Sequence, residues 1–466
     1  MTLLVLQCLP FVLLVGLLAS GRVAPWLAAL AAMLAALPAV LAAFGEATGG
    51  FLLQAALRGA WLAAMPVGVV VAGLVFHGAV NSAIGGAPSA ADEAPSREKV
   101  FAVAFLLGPF LESVTGFAVG VVFALSSLRR MGLAGPAMVA VGLYALLLIP
   151  WGGLGPGTFL GAALAGVPVV ELARMNAWLS AAWLLPMLAV FWRLAARLGL
   201  PGNASTRAAE ALWVAALGAL LVLANHVMPV ELGGIASTGP LLLLRHRALL
   251  KSPAAWRRAV PYLVLTAALL GTHAVPALGT PWLRPFADLP GLAPNHAAIV
   301  LGAVALLLLA FRADRGAVLA AAFTRARRPA LAMLLFVVLA RVLAGSGIAA
   351  ALAGRLAAAS GEAAPYAAPV LGALAGFFVG TNVGSNSVTM PLVAALGAGT
   401  GLPAALLPAI QNFSGSALCL ISPPVLALAM GISGERARPA QIWRVLGPGP
   451  LAAVPVAWCA IALWGR

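Results

Sequence analysis

Glu112 is the only charged residue in the apolar run 101–128. A carboxyl at membrane depth costs about 2.5–3.5 kcal/mol even on the mildest scale. Burial disfavours its charged form, so this acid is expected to take up and release a proton. The competing role is a structural hydrogen bond to a backbone amide freed near Gly116. Arg341 lies inside the apolar run Leu331–Leu343, ahead of Gly345-Ser346-Gly347. Its planar fork suits a carboxylate. It could clamp an organic acid, pair with Glu112, or snorkel to an interface. The third group is neutral. Asn382, Ser385, Asn386, Ser387 and Thr389 crowd residues 382–389, and Gln411, Asn412, Ser414 and Ser416 follow, with Thr115 in the first half. Such side chains can hold a hydroxy acid or replace water around a cation, and a helix starting in a Gly-rich break offers free amides to an anion.

Enzyme signatures are missing. The chain has no Walker A sequence, no His-Glu-x-x-His and no Gly-x-Ser-x-Gly. Cys8, Cys419 and Cys459 lie in apolar runs without paired spacing, which argues against metal and disulfide roles. His77, His226 and His273 sit near span ends and read as interfacial. Trp151 and Tyr144 read as pocket linings or interface anchors. The expectation is a non-enzyme with no cofactor and no metal.

Only a membrane can hold the elements around these residues. Hydrophobic residues make up 63% of 466 and charged residues 8%, with a mean hydropathy of +1.06. Soluble domains are about 25% charged. About 294 apolar residues, at about 20 per span, allow at most about 14 helices. Runs such as Leu3–Leu18 do not alternate as a barrel strand would. Leu3–Ala19 lacks a basic flank and a small-x-small site, and reads as a retained first helix rather than a signal peptide. Apolar spans are expected near 3–20, 23–44, 59–79, 101–128, 133–150, 176–195, 208–229, 232–247, 259–276, 296–311, 329–345, 365–397, 403–430 and 443–464. The run 81–100, with Asp92 and Glu93, reads as a loop. The fold expected is an all-α polytopic membrane protein of about 12–14 transmembrane helices. It forms one transport domain with halves of about 1–230 and 231–466.

The net charge is +15, from 27 Lys and Arg against 12 Asp and Glu. The positives collect in short loops: Arg193, Arg197 and Arg207; then Arg245, Arg247, Lys251, Arg257 and Arg258; then Arg312, Arg315, Arg325, Arg327 and Arg328; then Arg436, Arg438 and Arg444. Two apolar runs lie between the first and second clusters and two between the second and third, so these three share one side, and the fourth fits it. The positive-inside rule makes that side cytoplasmic. No basic domain outside the membrane exists for nucleic acid.

Two stretches interrupt the helices. One is Gly108-Pro109-Phe110-Leu111-Glu112-Ser113-Val114-Thr115-Gly116-Phe117, followed by Ile149-Pro150-Trp151-Gly152-Gly153 and on to Thr158. The other is Gly380-Thr381-Asn382 to Thr389, followed by Gln411 to Ser416 and Ile421-Ser422-Pro423-Pro424. Non-helical backbone in a bilayer needs protein or a water-filled cavity around it. Paired Gly/Pro-interrupted segments in two halves point to a transporter binding site. Small residues that only permit close helix packing would not account for the polar cluster at 382–389.

At these residues the sequence resembles the lactate permease family of secondary transporters. The resemblance rests on Phe110-Leu111-Glu112-Ser113 with Gly116-Phe117, on Ser346-Gly347, on Gly380-Thr381 with Ser385-Asn386, and on Ile421-Ser422-Pro423. It implies proton-coupled uptake of lactate, glycolate or a similar 2-hydroxy monocarboxylate. It also implies an ion-transporter-type fold with inverted repeats and re-entrant or broken helices. Glu112, Ser385 and Asn386 carry over as matching positions. The chain departs from the family in having Asn382 in place of an acid and Cys419 in place of a lysine.

The reading is a secondary transporter of a small organic anion in a bacterial-type inner (plasma) membrane. Glu112 carries the proton. The substrate contacts are Ser385, Asn386, Asn382, Ser387, Thr389, Asn412, Ser414, Arg341 and Thr115. The partners are a small carboxylate, a proton or sodium ion, and the lipid bilayer, with a homodimer as a candidate assembly. The alternatives are a sodium-coupled or other organic anion carrier and, from other classes, an ion channel, an intramembrane enzyme or a scaffold subunit.

Overall fold

The computed structural model describes residues 2–84, 94–116, 118–247 and 252–464. Asp92 and Glu93 of the polar loop, Phe117 of the first motif and Lys251 lie outside the described residues. The fold is all-α: among the described residues the only extended pairing is an isolated bridge, Leu283 to Leu292. Among the described residues, eight helical segments are long and apolar enough to cross a membrane. A ninth arises if Pro439–Leu446 and Pro448–Trp464, bent by 52°, count as one. One of the eight, Pro25–Ala83, spans 59 residues and holds two helices, Pro25–Phe44 and Thr48–Ile84. Among the described residues the apolar runs read from the sequence form helices, several of them interrupted, and not all are single crossings.

Residues 101–128 fold back on themselves. The helix Gly108–Thr115 ends at Gly116, with φ +66°, and Val119–Arg130 returns. A Cβ on Gly120 would lie 2.5 Å from the Gly108 carbonyl and 2.8 Å from Glu112 Cβ, so the arms touch. Pro109 has no N–H to offer the carbonyl of Phe105, and Val103–Leu107 ahead of it winds as a π-helix. Residues 365–397 do the same. Ala368–Val379 and Asn382–Gly397 flank Gly380, at φ +73°. A Cβ on Gly415 would lie 3.2 Å from the Gly372 carbonyl and press on Ser385 Oγ. A straight helix would separate Gly372 and Ser385 by about 20 Å, so this segment is also a hairpin.

Each hairpin is followed by a span broken at mid-depth. In the first, Gly135–Gly142 leads through Ile149–Leu154, where Gly152 and Gly153 leave helical geometry, into Pro156–Ala165. In the second, Leu406–Cys419 breaks before Pro423–Ser433. The breaks satisfy their own backbone. Thr158 Oγ1 donates to the Pro150 carbonyl at 2.5 Å, Trp443 Nε1 to the Ile421 carbonyl at 2.8 Å, and Ser422 Oγ caps Val425 N at 3.4 Å. Each hairpin tip packs on the break that follows it: Gly116 on Gly153, and Gly380 on Ser422 and Pro424.

The hairpins open to opposite faces. The first ends at Arg130, and the adjacent Arg129 donates through Nη1 to the Ile432 carbonyl at the far end of the second broken span. The second ends at Gly397, which leads into the start of that same span at Leu406. The order hairpin, broken span, hairpin, broken span, with reversed direction, is the inverted arrangement expected. The face holding Arg129 also gathers Arg97, Glu210 and Arg245. Arg97 grips Glu210 through Nε and Nη2, both at 2.8 Å, and Arg245 donates to the Glu98 carbonyl. The core around the first hairpin is aromatic. Phe105 meets Tyr144 and Phe191 at ring separations of 5.3 and 5.4 Å, which locks the hairpin to its broken span and to Val169–Arg197.

Candidate substrate site

The second hairpin brings its returning arm, Asn382–Gly397, against both broken spans. Asn386 is the joint. Its Nδ2 donates to the Gly157 carbonyl and to Asn412 Oδ1, both at 2.7 Å, and lies 3.2 Å from Asn382 Oδ1. Asn412 Nδ2 in turn donates to Thr158 Oγ1 at 3.2 Å. One side chain thus links the first broken span, the second hairpin and the second broken span. Gly157 has no side chain because none fits: a Cβ there would lie 2.6 Å from Asn382 Nδ2. Beside this joint, Gln411 Nε2 donates to Thr389 Oγ1 at 2.8 Å and to the Ser385 carbonyl at 3.2 Å.

The cluster is closed to solvent, yet it keeps polar atoms in reserve. Asn386, Asn412, Gln411 and Thr158 are all fully buried. Asn382 Nδ2, Asn386 Oδ1, Gln411 Oε1 and Ser416 Oγ are buried with no hydrogen-bond partner among the described residues. Buried polar groups are satisfied in the large majority of cases. Four such atoms fall between residues 382 and 416, where each has bonding capacity left for a group from outside the chain.

The two hairpin tips differ in charge. In the first, Glu112 reaches across the turn to the N-terminus of Val119–Arg130. Oε1 accepts from Ala118 N at 3.0 Å, and Oε2 from Gly120 N at 2.9 Å. Ala118 is held in the left-handed region, at φ +60°, which aims its amide at the carboxylate. A helix N-terminus favours negative charge, and Glu112 supplies it internally. In the second hairpin only the Thr381 hydroxyl caps the helix, accepting from Gly384 N at 3.1 Å. Among the described residues no carboxylate meets that N-terminus, and Asn382 stands at its first position with Nδ2 unpartnered.

Other residues singled out in the sequence lie elsewhere or turn inward. Thr115, Ser387 and Ser414 donate to carbonyls of their own helices, at Leu111, Val383 and Ile410. Arg341 lines a separate cavity with Phe51, Gln54, Ala55, Arg58 and Gly345. Glu112 has the amide partners weighed as its structural role. Trp151 and Tyr144 are fully buried and brace the break: Trp151 Nε1 donates to Asn225 Oδ1, and Tyr144 to the Met187 carbonyl. Thr158 and the Gly157 carbonyl were not among the expected contacts. The signal was the Gly155-Pro156-Gly157-Thr158 run, visible as a break but not as a binding surface.

Residues 290–445 match the model of the L-lactate permease family. The matched segment is one third of the chain and contains the second hairpin and the second broken span, hence the Asn382–Asn412 cluster. No curated protein matches the chain. Among solved structures, the Alcanivorax borkumensis YdaH transporter, described as having an unusual topology, aligns at TM-score 0.47 and 16% identity over 90% of this chain and 87% of its own. Neisseria gonorrhoeae MtrF, described with a class of antimetabolite efflux pumps, aligns at TM-score 0.46 and 14% identity over 87% and 83%.

Proposed function

We propose that the protein is a secondary transporter of a small organic anion, a 2-hydroxy monocarboxylate such as lactate or glycolate, coupled to protons in a bacterial-type inner membrane. The observation that carries this is the contrast between the tips. The first hairpin holds its own carboxylate at a helix N-terminus, and the second has the same local architecture without one. The substrate carboxylate takes the vacant role, at the N-terminal amides of Asn382 and Val383 and at Asn382 Nδ2. Its 2-hydroxyl has acceptors in Asn386 Oδ1 and Gln411 Oε1. The L-lactate permease match over this segment supports the substrate class.

Proton coupling acts through Glu112. Protonating either oxygen puts an O–H where an acceptor faces an amide N–H. The amide bond to that oxygen loses its charge assistance and weakens, which loosens the grip of Glu112 on Ala118 and Gly120. Because the tip at Gly116 packs on Gly153, this loosening reaches the broken span that carries Gly157 and Thr158. Movement of the hairpins against the remaining helices then gives alternating access.

A sodium-coupled carrier is the second reading, and one observation favours it. Asn386 Oδ1, Gln411 Oε1 and Ser416 Oγ are neutral, unpartnered oxygens of the kind that replace water around a small cation. Proteoliposomes loaded with purified protein separate the two. The expected result is accumulation of radiolabelled lactate or glycolate under an inward proton gradient, with Asn382→Leu losing most of it. Accumulation under a sodium gradient alone selects the second reading. No accumulation of any small carboxylate under either gradient rejects both.

A further inference from the structure

The geometry points to a second anion site, formed by Arg341 and Arg58 at the face opposite the basic loops, that takes a single oxyanion group, carboxylate or phosphate. It does not depend on the proposed transport reaction, and lies apart from the Asn386 joint.

The helix Thr48–Ile84 fixes its depth. At one end Ser82 Oγ donates to Asp314 at 2.6 Å and receives Arg312 Nε at 3.1 Å. At the other, Arg58 pairs with Asp288 at 2.5 Å. Twenty-four positions at 1.5 Å each put these ends about 36 Å apart, close to the thickness of a bilayer with its interfaces. Arg315 starts the neighbouring helix on the Arg312 side, and Arg341 sits about 39 Å along it, level with Arg58.

Between these two helices is a cavity of about 420 Å³ lined by Phe51, Gln54, Ala55, Arg58, Arg341 and Gly345. Its charge is unbalanced. Asp288 is committed to Arg58, whose guanidinium also lies 5.2 Å from the centre of the Phe286 ring. Among the described residues Arg341 has no ion pair or hydrogen bond, and its Nε is buried without a partner. Simple snorkelling would put the guanidinium nitrogens in water. Here one nitrogen is sealed inside, and the three charged groups sum to +1. A planar fork with an unfilled donor, a second guanidinium and a Gln amide on one wall is the donor set that an oxyanion needs. The source can be a solute or a lipid headgroup. The same side of the Thr48–Ile84 helix also lines an apolar cavity of about 440 Å³, with Trp61, Met65, Leu292, Ile299, Leu306 and Phe323 around it.

The test is thermal unfolding of the full chain in a neutral maltoside detergent, titrated with acetate, inorganic phosphate or dihexanoyl phosphatidylglycerol at matched ionic strength. At least one should raise Tm saturably. Arg341→Gln should weaken the apparent affinity by about tenfold or more, as expected for loss of a charge-assisted bond, and Asn382→Leu should leave it in place. Gln54→Glu puts a carboxylate beside both guanidiniums, so it should raise Tm without anion and abolish the response. This variant decides the question if Arg341→Gln does not fold. Response to acetate or inorganic phosphate identifies a solute site, and response to the lipid alone identifies a headgroup site; both uphold the proposal. No response to any probe overturns it, as does a response that survives Arg341→Gln and Gln54→Glu or one that disappears with Asn382→Leu.

Discussion

Replacing Glu112 by Gln tests whether a carboxylate holds the first hairpin tip. Both oxygens accept backbone bonds, from Ala118 N at 3.0 Å and Gly120 N at 2.9 Å. Gln retains one acceptor. Its amide group must face the other N–H, donor against donor. A bond to a charged group is worth about 1.5–3 kcal/mol, and a buried donor left unpaired costs about 1–3 kcal/mol. Partial relaxation keeps the total for opening the tip near 3 kcal/mol, or about a hundredfold in its open population. Hydrogen exchange read by mass spectrometry on peptides covering 118–120 should therefore accelerate about a hundredfold, with distant helices unchanged. In proteoliposomes the same variant should lose pH-driven accumulation but keep substrate exchange. Glu112→Asp is one methylene shorter and should fall between wild type and Gln. Unchanged exchange at 118–120 would refute the clamp. Intact pH-driven accumulation would remove Glu112 from coupling, whatever the tip does.

Two further changes probe the frame. Gly157→Ala puts a Cβ 2.6 Å from Asn382 Nδ2; the joint must part, at a cost of about 1–3 kcal/mol for overpacking. Substrate uptake should drop more than about tenfold, and wild-type uptake would show that the joint tolerates separation. Arg97 and Glu210 have side chains only 9% and 7% exposed, and Glu210 also accepts from Trp192 Nε1 at 2.8 Å. Arg97→Ala strands that carboxylate and should destabilise the chain by about 3–5 kcal/mol. Thermal unfolding in detergent measures this, and adding Glu210→Leu should recover part of the loss. Equal Tm for Arg97→Ala and wild type would contradict the burial of the pair.

What was legible in the chain by itself came from composition and from local chemistry. Apolar runs too long and too uncharged for water dictate helices, because in lipid the backbone must satisfy its own hydrogen bonds. The Gly, Pro and small polar residues at 108–117, 149–158, 380–389 and 411–424 stand out because each is costly in an unbroken apolar helix. The polar cluster at 382–389 was visible for the same reason, and Asn382, Asn386 and Asn412 do meet. Direction and partnership were not visible. Runs 101–128 and 365–397 have the length and hydropathy of single crossings. Only the contacts of Gly120 with Gly108, and of Gly415 with both Gly372 and Ser385, make them hairpins. Such contacts join residues far apart in sequence, so no local pattern encodes them. Tertiary structure likewise divided the polar residues into those turned back on their own helices, such as Thr115, Ser387 and Ser414, and those shared between elements. A hydroxyl or amide has the same composition in either role. It also set Glu112 on two amides across a turn and Arg341 in a cavity of its own. Each depends on where a distant backbone comes to rest, and a single sequence does not specify that by spacing alone.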